Sequence, residues 1–91
     1  MGATEQSRQA VSRHRSALAD LVSAVHDLAE QVDTCRRQLT ADGPIGHSAD
    51  PELDRARVRL DAAHQRLIEA AHDAQAAREP CLRYIDRVFP A

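Results

Sequence analysis

The sequence predicts an all-α fold: an antiparallel two-helix hairpin, packed like a coiled coil, that pairs into a four-helix bundle. Two long segments repeat apolar residues at alternating steps of three and four, which is the pattern of a coiled-coil seam. Between them lies the one stretch rich in helix-breaking residues, at 41–50. We therefore expect residues 1–91 to form a single domain, with a helix at about 4–40, a loop at 41–50 and a helix at 51–89.

The first segment predicts one helix because two sets of residues recur every seven positions. The set that we place at the centre of the seam is Val11, Leu18, Val25, Val32 and Leu39. A second set, three residues further along, is His14, Leu21, Leu28 and Cys35. Both sets are expected inside the hairpin. At about 1.5 Å per residue, this helix would be about 50 Å long.

The loop is predicted from its two boundaries. Gly43 followed by Pro44 ends the first helix, because proline cannot continue the hydrogen-bond ladder. Asp50 followed by Pro51 begins the second. The aspartate carboxylate caps free backbone N–H groups, and proline suits the first helical position.

The second segment combines large and small residues in one seam. Its central set is Leu53, Leu60, Leu67, Ala74, Cys81 and Val88, and its companion set is Ala56, Ala63, Ala70, Ala77 and Tyr84. Alternating large and small residues lets two helices approach closely. Pro80 either kinks the helix near 76–80 or ends it and opens a short terminal helix. The heptad phase continues beyond Pro80, which favours the kink.

The hairpin register is set by pairing Leu39 with Leu53 on either side of the loop. This places Val32 near Leu60, Val25 near Leu67 and Val11 near Cys81. The residues expected to form the hairpin core are Leu18, Leu21, Val25, Leu28, Val32, Leu60 and Leu67. Cys35 and Cys81 then lie far apart along the bundle, so we expect two free thiols and no intramolecular disulfide.

A second apolar stripe predicts association with another helical protein. Two helices alone bury little surface in a chain this small. The stripe consists of Ile68, Ala71, Leu82, Ile85 and Phe89 on the second helix, with Val22 on the first. We expect it to close a four-helix bundle, as a homodimer or as a heterodimer with a similar hairpin. The alternative is that these are scattered surface apolar residues, which are common.

Composition excludes several classes of function. The formal net charge is −2, there is no lysine, and Tyr84 and Phe89 are the only aromatic residues. A nucleic-acid binder normally carries a basic stripe with stacking aromatic residues, so we expect no nucleic-acid partner. No apolar run approaches the ~20 residues that cross a bilayer, and no signal-peptide core is visible, which predicts a cytoplasmic protein with no membrane partner. No phosphate loop or nucleophile pattern indicates an enzyme.

Two carboxylate–histidine pairs raise a metal-binding alternative. Asp61 with His64, and Glu69 with His72, have the three-residue spacing that di-iron helical bundles use, and Glu30 is available on the first helix. The predicted seams are almost entirely apolar, however, and such spacings arise often by chance. We therefore interpret the pairs as solvated surface residues and expect no metal and no cofactor. The alternative is a centre formed by Glu30, Asp61 and His64 between two chains.

A hairpin of this length, with Asp-Pro-Glu-Leu at 50–53 and Tyr84 near the C-terminus, resembles the WXG100 (ESAT-6-like) class of small actinobacterial helical-hairpin proteins. The resemblance implies a four-helix dimer linked to type VII-like secretion, a non-classical route. The turn contains no Trp-x-Gly, and Val88 stands four residues after Tyr84 where that class has an acid. The chain is also similar to encapsulated-ferritin-like hairpins. That similarity implies a metal site at Glu30 with either Asp61 and His64 or Glu69 and His72.

Overall fold

The computed structural model describes residues 4–90 as two long helices, α1 (Glu5–Gln38) and α2 (Pro51–Val88), joined by one loop. No strand occurs within this range. The molecule is 68 Å long and 17 Å across in both other directions, because the helices lie side by side along most of their length. The predicted all-α hairpin is confirmed. Pairing into a four-helix bundle stays a prediction.

Both helices begin at the side chains that their sequences provide as caps. The Thr4 hydroxyl accepts a hydrogen bond of 3.1 Å from the backbone N–H of Ser7. The Asp50 carboxylate accepts one of 2.9 Å from the N–H of Glu52, with Pro51 at the first position of α2. Helix α2 then continues through Pro80 to Val88, so it does not end at the proline. A kink at 76–80 stays a prediction. Neither helix is apolar over a stretch long enough to cross a membrane.

The loop folds back onto the end of α1 and is held there by an arginine from α2. The backbone N–H of Ile45 donates to the Gln38 carbonyl at 3.3 Å. Arg57 donates from Nε to the Leu39 carbonyl at 2.5 Å, and from Nη2 to the Gly46 carbonyl at 3.0 Å. The first two turns of α2 are therefore used to close the loop.

Gly46 is required for this close approach. It is buried, and a Cβ atom built there would collide with the Thr40 carbonyl oxygen and lie 2.7 Å from that of Leu39. Both obstacles are backbone atoms, which cannot rotate away. We expect Gly46→Ala to lower the free energy of unfolding by about 1–3 kcal/mol, the usual cost of overpacking. Urea unfolding followed by circular dichroism measures it, and His47→Ala, in the exposed part of the same loop, is the control. An unchanged urea midpoint in Gly46→Ala would contradict the close approach of Gly46 to these carbonyls.

The helices pair about one heptad away from the predicted register. His64 Nε2 lies 3.8 Å from Asp33 Oδ1, and Arg15 Nη2 lies 2.5 Å from Asp86 Oδ1. The predicted register would put Arg59 beside Asp33 and Ala77 beside Arg15. His64 and Asp86, which are found there instead, lie five and nine residues further along α2. The predicted pairs are wrong because the start of α2 packs on the loop before it reaches α1. These pairs are Leu39–Leu53, Val32–Leu60, Val25–Leu67 and Val11–Cys81.

The central row of α1 lies inside the hairpin, as predicted, but its predicted companion row does not. Leu18 is buried, and the rest of the central row is half-buried. Leu21 and Leu28 are 51% and 48% exposed, so the prediction that they form the core is wrong. His14 and Cys35, in the same row, are exposed as well.

The companion row that does face α2 lies four residues after the central row. It consists of Arg15, Val22, Ala29 and Arg36. Helix α2 follows the same rule. Ala71 and Ile85, four residues after its central row, are 5% and 4% exposed, whereas Ala70, Ala77 and Tyr84, three residues after it, are exposed. Residues three and four positions after a central row lie on either side of it, since a helix has 3.6 residues per turn. The step of four also brings Arg15 to Asp86 and Arg36 to Asp61 across the helices.

Candidate interaction surface

The exposed members of the companion rows that were expected in the core form an apolar surface along one side of the hairpin. We call it the leucine–alanine face. Its members are His14, Leu21, Leu28 and Cys35 on α1 and Ala70, Ala77 and Tyr84 on α2. All are exposed, Tyr84 by 51%. In an antiparallel pair, residues three positions after each central row emerge on the same side. The opposite side is identified independently by a shallow groove, lined by His26, Ala29, Ile68, Ala71, His72 and Gln75.

Within the leucine–alanine face, each large residue of α1 lies beside a small residue of α2. The contacts of Asp33 with His64 and of Arg15 with Asp86 fix the alignment at two levels. Interpolating between them puts Leu28 level with Ala70, and Leu21 level with about residue 79, two residues from Ala77. The face is therefore a leucine ridge along α1 beside an alanine furrow along α2.

This face is free of formal charge over most of its length. No Asp, Glu or Arg occurs in either of its rows, and residues 17 and 24, which flank the leucines, are alanine. The acidic residues of α1 fall elsewhere: Asp20, Asp27 and Glu30 are exposed on the far side of the helix. An uncharged strip bounded by charged residues is the composition typical of a protein-binding surface.

The stripe predicted to carry association is largely used by the hairpin itself. Ala71 and Ile85 are buried between the helices, which corrects the expectation that they lie on an outer face. Val22, Leu82 and Phe89 are half-buried, and Ile68 is 45% exposed beside the shallow groove. Any role of these residues in association stays a prediction. Charge is the sequence signal that distinguishes the two sides of α1. The row that faces α2 contains Arg15 and Arg36, whereas the row on the leucine–alanine face has no Asp, Glu or Arg.

A cluster of ion pairs joins the two helices near the loop. Arg36 Nη2 lies 2.8 Å from Asp33 Oδ1, and Arg36 Nη1 lies 3.3 Å from Asp61 Oδ1. Hydrogen bonding from Arg36 lowers the pKa of Asp33, with further lowering by the charges of Arg37, Arg36 and His64. The hydrogen bonds to Asp33 and Asp61 raise the pKa of Arg36. The cluster therefore holds an arginine between two carboxylates.

This arrangement does not fit the metal centre proposed as an alternative from Glu30, Asp61 and His64. The positive guanidinium of Arg36 is bound to Asp61, and Glu30 belongs to none of the ion pairs. Over residues 4–90, no three His, Cys, Asp or Glu side chains are gathered closely enough to bind a metal ion. The second pair, Glu69 and His72, lies on an exposed part of α2.

We expect Arg36→Gln to raise the pKa of Asp33 toward the ordinary aspartate value of about 3.9, because the hydrogen bond that favours the carboxylate is lost. A carboxyl carbon NMR titration across the acidic range measures this shift. Arg37→Gln is the matched control: Arg37 lies 3.4 Å from Asp33, and its smaller influence predicts a smaller rise. An equal rise in both variants would contradict the assignment to Arg36.

The same lowered pKa sets the sign of a pH effect on stability. Since the folded pKa of Asp33 lies below the unfolded one, the ion pair stabilises the hairpin fully above the unfolded value. That contribution is lost as the pH falls through the folded pKa of Asp33. In Arg36→Gln this part of the acid destabilisation should be reduced.

Comparisons with known proteins find no match to this chain: none among protein families, none among curated proteins and none among solved structures. The resemblances to the WXG100 class and to ferritin-like hairpins therefore stay predictions.

Proposed function

We propose that the protein is a small helical interaction protein, an adaptor that associates through its leucine–alanine face with a second copy of itself. Two hairpins joined in this way form the four-helix bundle that the heptad pattern predicts. The observation that carries the proposal is the exposure of about half of Leu21, Leu28 and Tyr84 on one uncharged side. Burying these side chains would be favourable, since apolar surface is removed from water.

The total surface of the hairpin supports association. The chain exposes 6926 Å², whereas a compact monomer of 10.0 kDa exposes about 5,200 Å². Its radius of gyration is 19.9 Å, against about 12 Å for a compact domain of this length. The excess of about 1,700 Å² per chain exceeds the ≈800 Å² that each partner contributes to a standard stable interface. The excess accessible surface is therefore large enough to be buried in a stable dimer.

The hairpin's own core is too small to be the main source of stability. Among the described residues, the buried apolar side chains are Leu18, Ala71 and Ile85. A domain of this size ordinarily depends on a larger core to offset the conformational entropy of the chain. Association through the leucine–alanine face would supply the missing apolar burial.

The test is the mass of the unmodified chain in solution, measured by multi-angle light scattering under reducing conditions so that exposed Cys35 forms no disulfide. Light scattering is the appropriate method because the elongated shape distorts elution volumes. We expect twice the mass of the 10.0 kDa chain from low to high micromolar concentration. A mass of 10.0 kDa throughout that range would contradict the proposal.

A further inference from the structure

We infer that the two copies pair with α1 of one lying antiparallel on α2 of the other, so that Leu21 and Leu28 pack onto the partner's Ala77 and Ala70. This inference rests on the proposed function, and adds the geometry of the pair. It follows from the sizes of the side chains on the leucine–alanine face and from their levels along the hairpin.

The first step is the match in size between the two rows. On α1 the exposed row has leucine at 21 and 28, and on α2 it has alanine at 70 and 77. Ridges of large residues pack best into furrows of small ones. A face that carries both a ridge and a furrow is complementary to a rotated copy of itself.

The second step is the match in level. Leu28 lies level with Ala70, and Leu21 within about two residues of the level of Ala77, by interpolation between the contacts of Asp33 with His64 and of Arg15 with Asp86. A two-fold axis parallel to the helices exchanges α1 with α2 across the interface and keeps every residue at its level. Each leucine of one copy then faces an alanine of the other. Both copies contribute the same surface, as two-fold symmetry demands.

The competing two-fold arrangement is disfavoured by the same residues. If the axis crossed the helices, α1 would lie on α1 and α2 on α2. Leucine ridges would then meet each other, and the alanine furrows would face each other across a gap. Loss of contacts over the alanines and crowding at the leucines both oppose close packing.

The polar residue at one end of the face fits the inferred arrangement. His14 lies one residue before Arg15, and Tyr84 two residues before Asp86, so in this antiparallel pair their levels differ by three residues, or about 4.5 Å. Exchange of the helices puts His14 of each copy opposite the partner's Tyr84. An imidazole and a phenol can hydrogen-bond to each other.

Site-specific cross-linking tests this geometry. Single cysteines are placed at Leu21→Cys, Leu28→Cys or Ala77→Cys in a chain that also carries Cys35→Ala and Cys81→Ala. Two variants with tags of different mass are mixed, allowed to exchange and oxidised. A disulfide requires Cα atoms within about 7 Å. We expect Leu21→Cys with Ala77→Cys to cross-link several-fold more than Leu28→Cys with Ala77→Cys, which is the control one heptad out of level.

The outcomes separate the geometry from the association itself. Preferred cross-linking of Leu21→Cys with itself would overturn the inferred orientation, and a preference for Leu28→Cys with Ala77→Cys would overturn the inferred level. A dimer by light scattering that cross-links at none of these positions would overturn the use of the leucine–alanine face. A monomer by light scattering would overturn the proposed function.

Discussion

A chain carrying both Leu21→Asp and Leu28→Asp is expected to be monomeric at concentrations where the unmodified chain is a dimer. Both leucines are about half exposed in the hairpin, so their remaining surface is available to a partner. Burying that half is worth about 1 kcal/mol for each side chain. A symmetric dimer contains four such leucines, and about 4 kcal/mol corresponds to about a thousandfold in the dissociation constant. Desolvating the new carboxylates weakens association further.

The control variant adds the same charge at the same spacing on α1, but on a different side of the helix. Ser16→Asp with Ser23→Asp also adds two carboxylates seven residues apart on α1, at exposed positions away from the leucine–alanine face. We expect this variant to dimerise like the unmodified chain. Sedimentation equilibrium gives the two dissociation constants, and circular dichroism checks that both variants remain helical. Equal weakening in both would indicate a general effect of charge, and the proposed face would be wrong.

The helices and the loop could be predicted because their causes are local. Asp50 and Pro51 begin α2 through a cap and a fixed backbone angle, and both act within a few residues. The heptad repeats extend over several turns, so one exception such as Pro80 does not hide them. The central row of each seam is also correct, except for the exposed Val88 at the end of α2, since it is shared by both packings that the pattern allows.

The side of the seam could not be predicted, because its cause lies across the fold. Leu21 and Leu28 are larger than Val22 and Ala29, so size alone favours the row that the structure leaves exposed. The observed side pairs residues that are distant in sequence, such as Arg15 with Asp86. Only the register shows that these partners meet.

The register itself depends on the folding of the loop. Arg57 donates hydrogen bonds to backbone carbonyls at the start of the loop, Leu39, and in its middle, Gly46, and so holds the start of α2 against the loop. A heptad pattern repeats every seven residues, and a shift by one heptad therefore leaves it unchanged. The pattern identifies the central rows that meet, and the loop determines their alignment.

Replacing Ile85 with alanine is expected to lower the free energy of unfolding by about 2–4 kcal/mol, the usual cost of truncating a buried isoleucine. Among the described residues, the buried apolar side chains are Leu18, Ala71 and Ile85, and at 4% exposed Ile85 is the more completely buried of the two large ones. Domains are stable by about 5–15 kcal/mol in total, so a hairpin with this small core would lose a large share of its stability.

Ile68→Ala is the matched control, since it removes the same atoms from a side chain that is 45% exposed, and we expect it to cost less than about 1 kcal/mol. Both variants are unfolded in urea at one protein concentration, because association with a second copy adds to apparent stability. The sequence pattern put the two isoleucines in one outer stripe, where truncating either would weaken association and leave the hairpin folded. The structure separates them. If Ile85→Ala lost dimerisation but unfolded at the same urea concentration as Ile68→Ala, the outer-stripe interpretation would be correct and the buried position of Ile85 wrong.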